Sequence, residues 1–271
     1  MDPHKLFRAE CAREIAAQGA DAKLLSLTRE WMNAANVAKY SYHFEWMGRP
    51  IIQYPQDIVA MQELIWAVKP DLIIETGIAH GGSLIFSASM LALLEYSEAR
   101  DKERQFDPQH ARRRVLGIDI DIRADNREAI AAHPMSHRID MIRGSSIAPE
   151  IVAQVTAVAS KHENTLVVLD SNHTHDHVFA ELEAYAPLTT RGSYCVVFDT
   201  VIEDFHDDMF HDRPWRKGNN PKTAVQHYLH CLKEEGRIAV DGTPLNFEID
   251  KTIQNKLMIT VAPDGYLKRT R

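Results

Sequence analysis

The length, composition and charge of the chain exclude several classes of protein. Its 271 residues, 45% hydrophobic and 25% charged, suffice for one large core or two modest ones and show no bias towards disorder, collagen or coiled coil. A formal net charge of −7 with scattered lysines and arginines provides no basic face for a nucleic acid. Three cysteines far apart, no apolar run long enough for a membrane span and no signal peptide predict a protein of the reducing cytoplasm.

The first 70 residues are predicted to form a helical segment. Apolar residues recur at spacings of three and four in residues 4–18 and 22–40. Because the segment is too short for a core of its own, we expect it to pack on the rest of the chain or on another subunit of a homo-oligomer. The aromatic residues that follow alternate with polar ones, which fits a wall of an acceptor pocket, a half-buried strand or an oligomer interface. They are Tyr40, Tyr42, Phe44 and Trp46.

Residues 71–271 are predicted to form one α/β domain. Short apolar runs rich in β-branched residues alternate with helical stretches, which predicts a mostly parallel sheet with helices on both faces. The expected strands are residues 72–76, 115–120, 138–144, 165–170, 193–200, 247–250 and 256–262. The connection between the last two is too short for a crossover, so at least one of them is expected to pair antiparallel.

The turn after the first of these strands reads ETGIAHGGS, beginning at Glu75. A glycine-rich turn at this place in a parallel sheet lets a ligand approach the backbone at the start of the next helix. The dinucleotide fingerprint Gly-x-Gly-x-x-Gly is absent, because the next glycine after Gly77 is Gly81. Glu75 would repel a pyrophosphate but suits a positively charged ligand, and S-adenosylmethionine carries both a sulfonium and an ammonium. We therefore expect Glu75, Gly77, Gly81 and Ser83 to bind this methyl donor.

The second and third strands also end in polar residues that suit the donor. The second ends GIDID, where an acidic side chain can accept hydrogen bonds from ribose hydroxyls, so Asp119 is the first candidate and Asp121 the second. The third ends RGSS, which offers Ser145 and Ser146 to an adenine edge. A single residue of this kind is most often only a turn residue, but three sets at successive strand ends favour cofactor binding.

Two carboxylates follow the fourth and fifth strands. Asp170 and Asp199 would converge at one edge of the crevice if these strands are neighbours, and two carboxylates invite a cation. Oxygen ligands with several retained waters suit Mg²⁺ better than zinc. His173 can face the same cavity and take the proton of an attacking hydroxyl, whose pKa the metal would lower. We expect Asp170 to contact the methyl donor as well.

The histidine-rich sequence HTHDH, which begins at His173, allows another interpretation. His173 and His177 are four residues apart on a helical face, a geometry that zinc can use. However, the glutamate of HExxH is absent and no cysteine is near. We expect His175 to lie at the start of the helix, and His177 to lie in the core or to support the site from behind.

Five stretches of the chain together resemble the cephalosporin hydroxylase family of class I S-adenosylmethionine-dependent methyltransferases, which includes sugar (rhamnosyl) O-methyltransferases. The stretches are WMGRPIIQYPQDIVAMQELIWAVKPDLIIETGIAHGGSLIF, LDSNHTHDHVFAELEAYAPL, GSYCVVFDT, NNPKTAV and APDGYLKR. The resemblance extends over nearly all of the chain from about Trp46, and the order, spacing and strand placement of the motifs agree together.

The resemblance implies a fold and a site. The fold is a Rossmann-like methyltransferase sheet of seven strands with an antiparallel last strand. The implied donor residues are Glu75, Gly77 and Asp119. The implied Mg²⁺ ligands are Asp170 and Asp199, and related sugar O-methyltransferases place a catalytic histidine in an Asp-x-x-His arrangement like that of Asp170 and His173.

The chain departs from this family at one position. The family's metal site can use adjacent acidic residues at the end of the fifth strand, and here Phe198 precedes Asp199. Glu203 or Asp204 could substitute from the following loop, water could fill the position, or the metal could be weakly bound or absent.

We therefore hypothesise a Mg²⁺-assisted O-methyltransferase that acts on a hydroxyl of a sugar or a secondary metabolite. The loop 203–222 is expected to be a substrate lid or a solvated acidic loop, in which Trp215 contacts a sugar ring or anchors the loop. One alternative is a metal-dependent hydroxylase or oxygenase with a facial triad of His173, His177 and Asp170. Another is a non-catalytic partner subunit that binds S-adenosylmethionine without methylating anything.

Overall fold

The computed structural model describes residues 2–206 and 209–270, and its N-terminal part consists of helices and a small hairpin. The helices are α1 (Pro3–Ala20), α2 (Ala22–Val37) and α3 (Pro55–Val68), and the hairpin pairs β1 (Phe44–Trp46) with β2 (Arg49–Ile51). Met47 and Gly48 at the hairpin turn both have positive φ angles, as a tight two-residue connection requires. Tyr40 and Tyr42 lie in a 3₁₀ turn before β1, so the aromatic alternation does not continue as a strand.

A seven-stranded sheet forms the centre of the described structure. Its strands are β3 (Leu72–Thr76), β4 (Arg114–Asp119), β5 (Ile139–Arg143), β6 (Thr165–Leu169), β7 (Tyr194–Val197), β8 (Phe247–Ile249) and β9 (Tyr266–Arg269). The spatial order is β5-β4-β3-β6-β7-β9-β8. β9 runs antiparallel to both of its neighbours, and the other pairs are parallel. The predicted seven-stranded, mostly parallel sheet with an antiparallel last strand is confirmed.

The prediction of a strand at residues 256–262 is wrong, because the last strand begins at Tyr266, ten residues after the predicted start. The first part of that range belongs to a helix, which starts where the Asp250 side chain accepts a hydrogen bond from the Thr252 amide. The second part is held by Asp57 of α3, whose carboxylate accepts a hydrogen bond of 2.9 Å from the Val261 amide. That amide is therefore not available to a neighbouring strand.

Helices cover both faces of the sheet. They are α4 (Gly82–Asp101), α5 (Ala124–Ala131), α6 (Pro149–Ala159), α7 (His175–Tyr185), α8 (Pro221–Glu235) and α9 (Lys251–Leu257). Ile73 of β3 packs in a hydrophobic cluster with α3 and α4, whereas its neighbours Leu72 and Ile74 pack in a second cluster with α6, α7 and α8. No helix in the described part of the chain is both long enough and apolar enough to cross a membrane.

The order of the strands positions the site. From β3 the chain proceeds to β4 and β5 on one side of the sheet and then to β6 and β7 on the other. The carboxyl ends of these five parallel strands meet at one edge of the sheet, and a crevice forms where the direction of winding changes between β3 and β6.

Candidate active site

The glycine-rich turn after β3 packs tightly against the end of β6. Gly77 has a φ angle of +90°, and a Cβ atom on it would lie 2.1 Å from the carbonyl oxygen of Asp170. Gly81 has a φ angle of +83° and immediately precedes α4. A side chain at Gly77 would have to displace the backbone of β6, so only glycine fits there. The turn therefore leaves its backbone open to a ligand at the start of α4.

Asp119, at the end of β4, fixes the same turn. Its carboxylate accepts hydrogen bonds from the backbone amides of Ile78 at 2.8 Å and Ala79 at 3.3 Å, and from the amide of Asp121 at 2.9 Å. A carboxylate has about four acceptor positions. About one position of Asp119 therefore remains for a ligand. The Asp121 side chain lies at the surface instead, 3.6 Å from the guanidinium of Arg143.

A cavity of about 300 Å³, which we name the strand-end cavity, opens where β3, β4, β5 and β6 end. Five of the predicted donor residues line it, namely Gly77, Asp119, Ser145, Ser146 and Asp170. Its volume matches the lower end of the range of small-molecule sites, roughly 300–1,000 Å³. A larger groove of about 990 Å³ lies along α4 and is lined in part by Trp46, but by none of the predicted donor, metal or catalytic residues.

Glu75 and Ser83 lie behind the strand-end cavity. They line a smaller pocket of about 20 Å³, the inner pocket, which shares Asp170 with the strand-end cavity. The Ser83 hydroxyl donates a hydrogen bond to the Glu75 carboxylate. Burial raises the pKa of Glu75 to about 7, although the hydrogen bond from Ser83 partly opposes this effect. Glu75 is therefore a buried acidic group that shares the inner pocket with Asp170, and its role in donor binding stays a prediction.

Asp170, His173 and Asp199 come together beyond the ends of β6 and β7. One potential ligand atom from each lies within 4.8 Å of the others, and His173 Nε2 is 3.2 Å from Asp199 Oδ2. Burial raises the pKa of Asp170 well above its usual value, and the negative charges of Asp199 and Glu75 raise it further. Among the described residues, no other group of three or more such side chains could hold a metal ion.

The other acidic candidates have partners elsewhere. Glu203 accepts a hydrogen bond from the Gly218 amide at 2.8 Å, and Asp204 pairs with the Lys222 ammonium at 2.5 Å. Glu203 therefore holds the loop that leads into α8 and Asp204 holds the first turn of α8, and neither joins the group of Asp170 in the described structure. Phe198 is buried and packs in the hydrophobic cluster of α3 and α4.

The three histidines of HTHDH have different surroundings. His173 packs edge-on against Trp215, with 4.8 Å between ring centroids and 86° between ring planes. His175 begins α7, as predicted. His177 lines the strand-end cavity, and its Nε2 lies 3.1 Å from the Ser146 hydroxyl. His173 precedes α7, so the two histidines do not share a helical face as expected, and no group of three or more potential metal ligands among the described residues contains both.

Trp215 belongs to the loop 203–222 and lines the strand-end cavity. The guanidinium carbon of Arg213 lies 5.5 Å from the centre of its ring. The loop therefore reaches the site through Trp215. Residues 207 and 208 of the predicted lid lie outside the described residues.

The sequence of the chain matches a known protein family. A family model described as "Rhamnosyl O-methyltransferase/CmcI" matches residues 38–270. The chain belongs to this family. As a rhamnosyl O-methyltransferase/CmcI family member it is an S-adenosylmethionine-dependent O-methyltransferase, which confirms the enzyme class predicted from the sequence.

The relatives of this family member include mycobacterial enzymes. The "Rhamnosyl O-methyltransferase" of Mycobacterium leprae (strain TN) is 26% identical over 225 residues, which cover 83% of this chain and 82% of that protein. The protein of the same description from Mycobacterium tuberculosis (strain CDC 1551 / Oshkosh) is 25% identical over 228 residues, covering 83% and 77%. A solved apo structure of a TDP-rhamnose 3'-O-methyltransferase of calicheamicin biosynthesis is similar with a TM-score of 0.46 and 18% identity, over 90% of this chain and 93% of that one.

This family member brings one unpredicted residue, Gln53, to the site and places another, His177, differently from the expectation. Gln53 follows β2 and donates a hydrogen bond from Nε2 to Asp170 Oδ2 at 3.1 Å, although the two residues are 117 positions apart. No local pattern indicates this contact. His177 was expected in the core or behind the site, and the structure places it in the cavity wall. Its position in the first turn of the helix that follows Asp170 could have indicated a place in the cavity wall.

Proposed function

We propose that this chain transfers the methyl group of S-adenosylmethionine to a hydroxyl of a saccharide or secondary metabolite, and that Mg²⁺ assists the transfer. The observation that carries the proposal is the position of Asp170. Its side chain lies both in the wall of the strand-end cavity and in the group with His173 and Asp199. A donor in the cavity and a cation held by that group would therefore be neighbours.

The donor would occupy the strand-end cavity. The remaining acceptor position of Asp119 suits a ribose hydroxyl, and the hydroxyls of Ser145 and Ser146 suit an adenine edge. The negative charge of Glu75 behind the cavity complements the sulfonium and ammonium groups of the donor. The residues proposed to hold the donor are Glu75, Gly77, Gly81, Ser83, Asp119, Ser145, Ser146 and Asp170.

Asp170 and Asp199 suit a divalent cation. The pKa of Asp170 is raised by burial and by the charge of Asp199, and a cation between the two carboxylates would relieve their repulsion. Mg²⁺ is commonly bound by one or two carboxylates while it keeps several waters. The apolar side chain at Phe198 is therefore compatible with the site. When bound, Mg²⁺ lowers the pKa of a hydroxyl that it contacts.

His173 is the proposed general base. Its Nε2 lies 3.2 Å from Asp199 Oδ2, and its ring is packed against Trp215, which restricts the orientation of the imidazole. In the proposed step the acceptor oxygen attacks the sulfonium methyl carbon while the bond between that carbon and sulfur breaks. The hydroxyl proton passes to the ring nitrogen of His173 that carries no proton, and the products are a methyl ether and S-adenosylhomocysteine. Orientation of the acceptor oxygen towards the methyl carbon supplies most of the acceleration of methyl transfer, because the donor is already reactive.

The acceptor is proposed to be a sugar hydroxyl. The mycobacterial relatives are described as rhamnosyl O-methyltransferases, which supports this substrate class. Trp215 offers an aromatic side chain beside His173, where a sugar ring could pack with its hydroxyl directed towards the imidazole.

Transfer of radiolabelled methyl from S-adenosylmethionine to a panel of rhamnosylated and other glycosylated acceptors tests the proposal. We expect label in a sugar ether, with less transfer after EDTA treatment and recovery on addition of Mg²⁺. Asp199→Asn should reduce transfer, whereas Asp176→Asn, a matched change at an exposed position of α7, should not. Transfer that is insensitive to EDTA would reject the role of the metal, and donor binding without transfer to any sugar would reject the acceptor class.

We also propose that residues 1–70 form a segment that joins protomers in a homo-oligomer around a methyltransferase domain of residues 71–271. α1 contains no buried residue, and the side chains of Phe7 and Val37 are 65% and 77% exposed. α1 does contact α9 of its own chain, where Gln18 Nε2 donates a hydrogen bond to the Asn255 carbonyl oxygen at 3.1 Å, but a helix without a buried face leaves apolar surface for a neighbouring protomer. Light scattering of the full chain should give a multiple of 30.8 kDa, and a monomeric mass would contradict this proposal.

A further inference from the structure

Gln53 connects the N-terminal segment to the proposed cation site. It lies two residues after β2, is only 6% exposed and donates a hydrogen bond from Nε2 to Asp170 Oδ2 at 3.1 Å. This bond uses one of the acceptor positions of Asp170. It therefore restricts the orientation of the carboxylate that the strand-end cavity and the proposed cation share.

The backbone that carries Gln53 is held firmly against the glycine-rich turn. A Cβ atom on Gly82 would lie 2.2 Å from the Pro50 carbonyl oxygen, so the hairpin packs directly on the start of α4. The Arg49 guanidinium donates to the His80 carbonyl oxygen, at 3.0 Å from Nε, and to Asn126 Oδ1 at 3.0 Å. The Gln53 side chain thus extends from an anchored strand end.

The amide oxygen of Gln53 makes no hydrogen bond with the described residues. This Oε1 atom is buried without a partner, and the side chain lines the inner pocket together with Glu75. The same pocket has apolar walls from Met61 and Phe198. A buried amide oxygen without a partner destabilises the fold, and an apolar side chain of similar size would avoid this cost. Packing alone therefore does not account for a glutamine at this position.

We propose that Gln53 is a positioning residue that orients the Asp170 carboxylate for the cation, so that the N-terminal segment completes the metal site. The inference rests on the proposed function. Groups that hydrogen-bond to a metal ligand typically change metal affinity about 10–100-fold when they are replaced. Gln53 has the position of such a group, because it contacts Asp170 and does not belong to the set of potential ligands.

Calorimetric titration of Mg²⁺ into the S-adenosylhomocysteine complex of Gln53→Met tests the inference. Methionine has a similar length and lacks the donor. We expect the Mg²⁺ affinity to fall about 10-fold or more, while the affinity for S-adenosylhomocysteine without Mg²⁺ stays unchanged. Gln56→Met is the matched control, because Gln56 also has a buried, unpartnered Oε1 and lies outside the inner pocket. Gln53→Leu repeats the test if the methionine variant does not fold.

The outcomes separate this inference from the proposed function. If wild type and Gln53→Met bind Mg²⁺ equally well, Gln53 does not position Asp170, and the proposed function is unaffected. If Gln53→Met loses affinity for S-adenosylhomocysteine and for Mg²⁺ in parallel, the role of Gln53 is only structural and the inference fails. If the wild type binds no Mg²⁺, the cation of the proposed function fails together with this inference.

Discussion

The buried carboxyl of Glu75 should make the free energy of unfolding depend on pH. Its pKa is about 7 in the folded protein and 4.5 in an exposed reference. Each unit of difference corresponds to roughly 1.4 kcal/mol, so the difference between 4.5 and about 7 amounts to about 3 kcal/mol. The folded state binds the proton more tightly. The contribution of Glu75 to stability is therefore fully present below about pH 4.5 and is lost as the pH rises through about 7.

Glu75→Gln removes this ionisation while it keeps the shape of the side chain. At about pH 8 the ligand-free variant should be more stable than the wild type by up to about 3 kcal/mol, and the difference should disappear towards pH 4.5. Burial also raises the pKa of Asp57 to about 6, which makes stability fall with rising pH in the same direction. Wild type and variant share this contribution. The variant should also bind S-adenosylmethionine less tightly, because the negative charge behind the cavity is lost.

Urea denaturation of wild type and variant across this pH range, without donor or metal, measures the effect. Glu14→Gln is the control, since Glu14 lies exposed on α1. Equal pH slopes for wild type and Glu75→Gln would refute the reasoning, because they would mean that Glu75 titrates as an exposed carboxyl does.

Three further variants test separate parts of the site. His173→Ala should keep the affinity for S-adenosylmethionine and lower turnover by about 10²–10⁴-fold in the methyl-transfer assay, and full turnover would remove His173 as the base. Gly77→Ala places a Cβ atom 2.1 Å from the Asp170 carbonyl oxygen at a φ angle of +90°, so we expect a lower melting temperature and loss of S-adenosylhomocysteine binding. Unchanged binding by calorimetry would show that the turn does not form the donor site. Asp199→Asn should weaken Mg²⁺ binding at least about 10-fold without changing metal-free donor binding, and an unchanged Mg²⁺ affinity would place the cation elsewhere.

Local sequence pattern predicted most of the sheet but not its last strand. The strands β3 to β8 are short apolar runs between helical stretches, and such runs are strands when both faces of the sheet are covered. Residues 256–262 carry the same kind of run and are not a strand. The Asp250 cap and the Asp57 carboxylate determine their structure, and Asp57 lies about 200 residues earlier in the chain, where no local pattern can reveal the contact.

The grouping of the site followed from one rule, that the carboxyl ends of parallel strands meet at one edge. This rule placed Gly77, Asp119 and Asp170 together before any distance was known. It could not place Gln53, which comes from the N-terminal hairpin. Nor could it reveal that Glu95 of α4 is buried, where it pairs with Arg138 at 2.9 Å. Contacts between residues that are far apart in the sequence can be recognised only from the tertiary structure.

Calorimetric titration of the purified wild-type chain with S-adenosylhomocysteine, with and without Mg²⁺ and beside NAD⁺, tests the central claim most directly. If the strand-end cavity holds the methyl donor next to a cation at Asp170 and Asp199, S-adenosylhomocysteine will bind, Mg²⁺ will bind to that complex, and NAD⁺ will not bind. Binding of NAD⁺ alone, or no binding of the adenosyl ligand under either condition, would contradict the account.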